Sequence, residues 1–218
     1  MAEVNTPSSW AEQELHQLFN AYLNNKGYIP VLSLKQFRSA TTIGFQSIIL
    51  SASHYPDCSI VELHLGIRAD AVENLAFPFT NGLTGFKKDS LTLVCPISKL
   101  FNSPFQRYEI RDRRDIDGVF SNFQKQLEEK GFQSLAQHKR IETLEHLFND
   151  LPNEPLALVH NQVNRCMRGI TLAKLCHSRD FEQLAQIYEY QLSQLFVPKS
   201  TLERYQRLLN FLRTYSAN

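Results

Sequence analysis

The sequence predicts an α+β protein: an antiparallel sheet of four or five strands with helices on one face, followed by a C-terminal helical bundle. Three observations lead there. Val61, Leu63, Leu65 and Ile67 alternate with Glu62, His64, Gly66 and Arg68, the period-two pattern of a strand with one buried and one wet face. Two stretches in the first 132 residues repeat apolar side chains at helical spacing and then run into a glycine followed by an aromatic. After Pro155 only helical periodicity remains, in three successive segments.

Taken in order, Ser9 to about Lys26 reads as the first helix. Ser9 can cap it, Glu12 stands where a capping box needs an acid, and Leu15, Leu18, Phe19, Tyr22 and Leu23 form its stripe. Gly27 and Tyr28 supply a left-handed stop with an aromatic that folds back. Val31 to Thr41 is the first strand. The central hairpin then spans Phe45 to Arg68, with Ile48, Ile49 and Leu50 suggesting cover on both sides and His54-Tyr55-Pro56-Asp57-Cys58-Ser59 forming the connection. Asp70 to Leu75 is a short helical turn, and three phenylalanines, Phe77, Phe79 and Phe86, are expected to pin the loop that follows. Leu91 to Cys95 is a strand stopped by Pro96, and Gln106 to Asp112 is an edge strand guarded by charge. Asp115 to Lys130 is the second long helix, and Gly131-Phe132 repeats the exit at Gly27-Tyr28, so the same C-cap chemistry is expected twice. A helix from Gln137 to Leu147 leads to Asn149-Asp150-Leu151-Pro152-Asn153-Glu154-Pro155, read as a boundary between a sheet domain (1–150) and a helical appendage (151–218). Leu158 to His177, Asp180 to Phe196 and Lys199 to Tyr215 are the last three helices, the final one with a capping box at Ser200 and Glu203.

Composition narrows the function classes. With 23 Lys and Arg against 22 Asp and Glu, no global field attracts nucleic acid or an anionic membrane, and nucleic-acid binding is disfavoured. No apolar run is long enough to cross a bilayer, and the start MAEVNTPSS lacks the features of a signal peptide, so a cytoplasmic location is expected. Cys58, Cys95, Cys166 and Cys176 sit singly in apolar or helical contexts and are expected to be reduced.

Motifs with chemistry are sparse. Glu62 and His64 share the polar strand face and could act as a base and its orienting partner, but nothing nearby supplies a nucleophile. His54 and Cys58 place an imidazole near a thiol, though within one turn, where in-line geometry is poor. His160, Cys166, Cys176 and His177 lack metal-ligand spacing, and no metal or cofactor is expected. Tyr55, Arg68 and Arg111 are of the types that anchor protein interfaces.

At Phe37-Arg38, Gly44-Phe45-Gln46 and Val61 to Arg68, preceded by a helix ending Lys26-Gly27-Tyr28, the chain resembles small bacterial α+β domains of uncharacterised role over about residues 10–150. In organisation those domains resemble immunity-type proteins encoded beside toxins. The resemblance supplies no catalytic residues. The expectation is a non-enzymatic cytoplasmic interaction protein, of immunity type, that binds a protein partner; the alternative is a small hydrolase or nucleotide-directed enzyme using His64 and Glu62. Oligomeric state is left open.

Overall fold

In the computed structural model, which describes residues 9–103 and 106–216, the chain opens with helix α1, Ser9–Asn24. The cap proposed for Ser9 rests on a side chain outside the described ones. Ala11, Leu15, Phe19 and Leu23, four apart, form its fully buried stripe. Its exit is the expected Schellman stop: Tyr28 N–H donates to the Leu23 carbonyl at 3.1 Å, Gly27 N–H to that of Asn24 at 3.0 Å, and Gly27 has φ +79°.

The single strand expected over Val31 to Thr41 is two. β1 (Ile29–Val31) pairs antiparallel with β2 (Gln36–Thr41), Ile29 opposite Arg38 and Val31 opposite Gln36. Between them Leu32–Leu34 make a 3-10 turn, which Lys35 closes from a left-handed conformation by donating its N–H to Leu32 O. The central hairpin is as expected, with β3 (Gly44–His54) and β4 (Ser59–Ala69). Burial alternates along β4 from Ser59 to Leu65 and then becomes continuous to Ala69, marking where its outer face is also covered.

Asp70–Ala76 form helix α2, β5 covers Leu93–Pro96 and β6 Tyr108–Ile110. The described sheet thus has six strands rather than four or five, in the order β1-β2-β3-β4-β5, with β6 antiparallel to the start of β4, Ser59 opposite Ile110. Of the three loop phenylalanines, Phe77 is buried and Phe79 packs against the helical core, whereas Phe86 stays exposed.

Helix α3, Arg113–Gln126, starts two residues earlier than expected because Asp112 and Asp115 form a reciprocal capping box. It does not stop at Gly131. A π-helical turn over Leu127–Gly131 carries it directly into α4, Phe132–Gln137. Gly131 serves close packing: a Cβ there would lie 3.0 Å from Leu127 Cδ2 and 3.2 Å from Ile97 Cδ1. Helices α5 (Ile141–Asn149), α6 (Gln162–Leu175), α7 (Phe181–Gln194) and α8 (Lys199–Thr214) complete the chain. The capping box expected at Ser200 is not formed, since Pro198 takes the N-cap position and Ser200 lies within the helix. Among the described residues no helix is long and apolar enough to cross a membrane.

The described residues gather into two compact units, one within residues 1–41, 45–66 and 95–136, the other within residues 42–44, 67–94 and 137–218. In the first, Phe19 meets Phe37 of β2 and Phe120 and Phe123 of α3, with ring centroids 5.2–6.1 Å apart. Phe19, Phe37 and Phe123 are fully buried, and each such ring contributes about 1.5–3 kcal/mol by leaving water. In the second, Cys166, Met167, Ile170 and Ala173 of α6 pack with Leu184 and Tyr188 of α7 and Tyr205 and Leu209 of α8. The stretch read as a boundary after residue 149 lies inside this unit. It is clamped to α6 by the buried Arg165, which donates to Phe148 O (2.9 Å), Leu151 O (3.0 Å) and Glu154 O (2.7 Å) and so ties the chain after α5 to that helix.

Candidate functional site

The tip of the β3–β4 hairpin collects three of the side chains singled out from sequence. Tyr55 N–H donates to Cys58 O at 2.9 Å, closing a connection with Pro56 and Asp57 at its apex. Pairing of Ser59 with Ile110 brings Arg111 alongside, and the first turn of α1 contributes Trp10. Trp10, Tyr55, Cys58, Ser59 and Arg111 line one shallow pocket of about 50 Å³. Tyr55 is 51% exposed, and Arg111 holds Glu109 at 2.6 Å while remaining largely in solvent. A hydrogen bond to Glu109 raises the Cys58 thiol, so it is held in its protonated form, the opposite of what a nucleophile needs.

Behind the tip runs a string of hydrogen bonds. Ser59 Oγ lies 3.1 Å from His54 Nδ1, and His54 Nε2 lies 3.0 Å from Glu12 Oε2. Lys35 Nζ closes on the same carboxylate, 2.7 Å from Oε1 and 2.9 Å from Oε2. Burial alone would raise the Glu12 carboxyl, but its hydrogen bonds to Lys35 and His54, with their charges, outweigh this and hold it below the ordinary carboxylate range. One turn on, His16 stacks on Phe37 with centroids 5.3 Å apart, and neither ring nitrogen has a partner among the described residues. Burial lowers its pKa, so the ring is kept neutral. Glu12, His16, Leu32 and Lys35 border a groove of about 390 Å³.

The other sequence candidates lie elsewhere. His64 Nε2 is 3.1 Å from Glu62 Oε2, the pair foreseen on the strand face, and Arg107 takes the second Glu62 oxygen at 2.8 Å. Arg68, expected as an exposed anchor, is 4% exposed. It donates to Asp70 (2.5 Å), Lys87 O (2.8 Å) and both the carbonyl and hydroxyl of Ser90 (2.8 Å each), and so orders a loop instead of facing a partner. The strand alternation that put Arg68 on a wet face ends where that face becomes covered. Cys166 is fully buried in the helical core and Cys176 half-buried, with both thiols pushed up by burial. His160 and His177 are exposed, and the described residues contain no group of three His, Cys, Asp or Glu placed to hold a metal.

Trp10, Glu12, Lys35 and Ser59 were not singled out from sequence. Glu12 was assigned to capping. The available signal was its position beside Ala11 and Leu15, with His16 four residues on, which sets a polar pair against the buried stripe of α1. Comparison with protein families, with curated proteins and with solved structures finds no match to this chain.

Proposed function

We propose that the protein is a non-enzymatic interaction module that meets a protein partner with the tip of the β3–β4 hairpin. One observation carries this reading: Trp10, Tyr55 and Arg111, from three separate parts of the sequence, line one pocket. These three residue types dominate binding energy at protein interfaces, where a central cluster supplies most of the affinity. The resemblance to immunity-type proteins makes a toxin the partner class to try first.

The test is affinity capture from native extract with tagged wild type, Tyr55→Ala and Arg111→Ala, identifying bound proteins and small molecules by mass spectrometry. A single stoichiometric protein that both variants lose, with unchanged melting temperature, is the expected result. Equal capture by the variants would remove the hairpin tip from the interface. A retained metabolite with no protein would replace the interaction reading by an enzymatic one.

The Ser59–His54–Glu12 string favours a second reading, a hydrolase in which Glu12 orients His54 and His54 takes the serine proton. Ser59 is only 2% exposed, so a substrate would have to reach it through the small tip pocket, and we place this reading second. Turnover of simple esters, abolished by Ser59→Ala and by His54→Ala, would promote it.

A further inference from the structure

The second unit holds a groove of about 450 Å³, a volume typical of small-ligand sites, whose lining includes Arg168, Asn161, Asn164, Asp89, Leu91 and Val94. Arg168 is 6% exposed. Its Nε and Nη2 donate to the two oxygens of Glu73 at 2.7 and 2.9 Å, which fixes the plane of the guanidinium. The third nitrogen, Nη1, has no acceptor among the described residues and is not sealed from solvent, so its two N–H donors are left for the groove. Asn161, Asn164 and Arg168 follow one another at helical spacing along the start of α6. The Asn161 side-chain oxygen is taken by the Asn164 backbone N–H at 3.0 Å, leaving its amide N–H groups, and the Asn164 carboxamide has no partner among the described residues. Donors therefore outnumber acceptors along this wall, whereas Leu91 and Val94 offer apolar surface.

We infer that this groove binds a small monocarboxylate whose carboxylate accepts from Arg168 Nη1 and the amides of Asn161 and Asn164 and whose apolar body rests on Leu91 and Val94. A planar, two-oxygen acceptor suits a fixed guanidinium edge. Asp89 on the same lining sets the charge limit: it repels a phosphate dianion more than a carboxylate monoanion. The preformed Glu73 pair means that ligand binding need not order the arginine.

The experiment is a titration of the full chain with benzoate, and in parallel with inorganic phosphate, following side-chain amide and guanidinium signals by NMR. Benzoate should produce saturable shifts at Asn161, Asn164 and Arg168, and phosphate much weaker ones. Asn164→Asp should weaken benzoate at least tenfold while the fold is retained, since an acid in the first turn of α6 suits the positive end of the helix. Absence of saturable shifts with benzoate, undiminished binding by Asn164→Asp, or tighter binding of phosphate would each overturn the assignment.

Discussion

Two buried glutamates, one in each compact unit, are neutralised in different ways. Glu73 of α2 is fully buried, accepts from Nε and Nη2 of Arg168 and at 2.9 Å from the Thr92 hydroxyl, and both of those partners are themselves buried. Glu12 of α1 is nearly as buried, but its partners Lys35 and His54 reach solvent. For both, burial would raise the carboxyl, and cationic and hydrogen-bonding partners more than compensate, so both are held below the ordinary range. The difference lies in what replaces a lost partner. Water can take the place of Lys35, whereas loss of Arg168 would leave the fully buried Glu73 carboxylate without its cation. The first centre is adjustable and sits beside the proposed interface; the second is a structural tie.

The comparison can be broken by substitution. The largest effect expected is for Glu73→Gln, which strands the buried Arg168 charge and should cost about 3–5 kcal/mol in urea unfolding, while the paired change Glu73→Leu with Arg168→Met recovers most of it. Failure of the pair to recover would mean that the charges are needed and not merely tolerated. Glu12→Gln should cost less, about 1–2 kcal/mol, because Lys35 and His54 can turn to water. Equal losses at the two sites would end the distinction.

Acid should act on both centres. A carboxylate with a depressed folded pKa contributes stability that is complete above its unfolded pKa, near about 4.3, and is lost as pH falls through the folded value. Urea midpoints should therefore drop steeply below about pH 4, and less so in Glu73→Gln, where one such group is missing. His16 acts earlier. Its folded pKa is lowered, so the unfolded chain takes up the proton first and stability begins to decline as pH falls below the ordinary histidine value near about 6.5. His16→Phe, which keeps the stacking on Phe37, should flatten the midpoint between pH 7 and 5; an unchanged slope there would assign the decline to another group. Lys35→Met should show the smallest loss, under about 1 kcal/mol, as its side chain is half in solvent.

Much of this fold could be read in the residues because local rules sufficed. The alternation of Val61 to Leu65, the stripe of α1 and the stop at Gly27-Tyr28 depend on neighbours a few positions away. The echo at Gly131-Phe132 shows where such rules end. Lys-Gly-aromatic closes α1 with Gly27 at positive φ, yet the same spacing passes through a π-helical turn at 131, because the side chains of Leu127 and Ile97 crowd that position and the glycine is used for room. Arg68 teaches the same limit: its strand position was legible, but not the covering of that face by the loop carrying Lys87 and Ser90. At the hairpin tip, Tyr55 and Arg111 are legible by residue type and Cys58 by its nearness to His54, but only the pairing of Ser59 with Ile110 brings Arg111 to the tip and only the placement of α1 brings Trp10 and Glu12.

By itself, then, the sequence determined the α+β class, the central hairpin and the three closing helices, since hydrophobic period and capping chemistry act over a turn or a strand. Only the tertiary structure decided which polar groups are buried together. Glu73 with Arg168, and Glu12 with His54, stand 95 and 42 residues apart, and no local pattern carries the requirement that a charge removed from water find its partner across such distances.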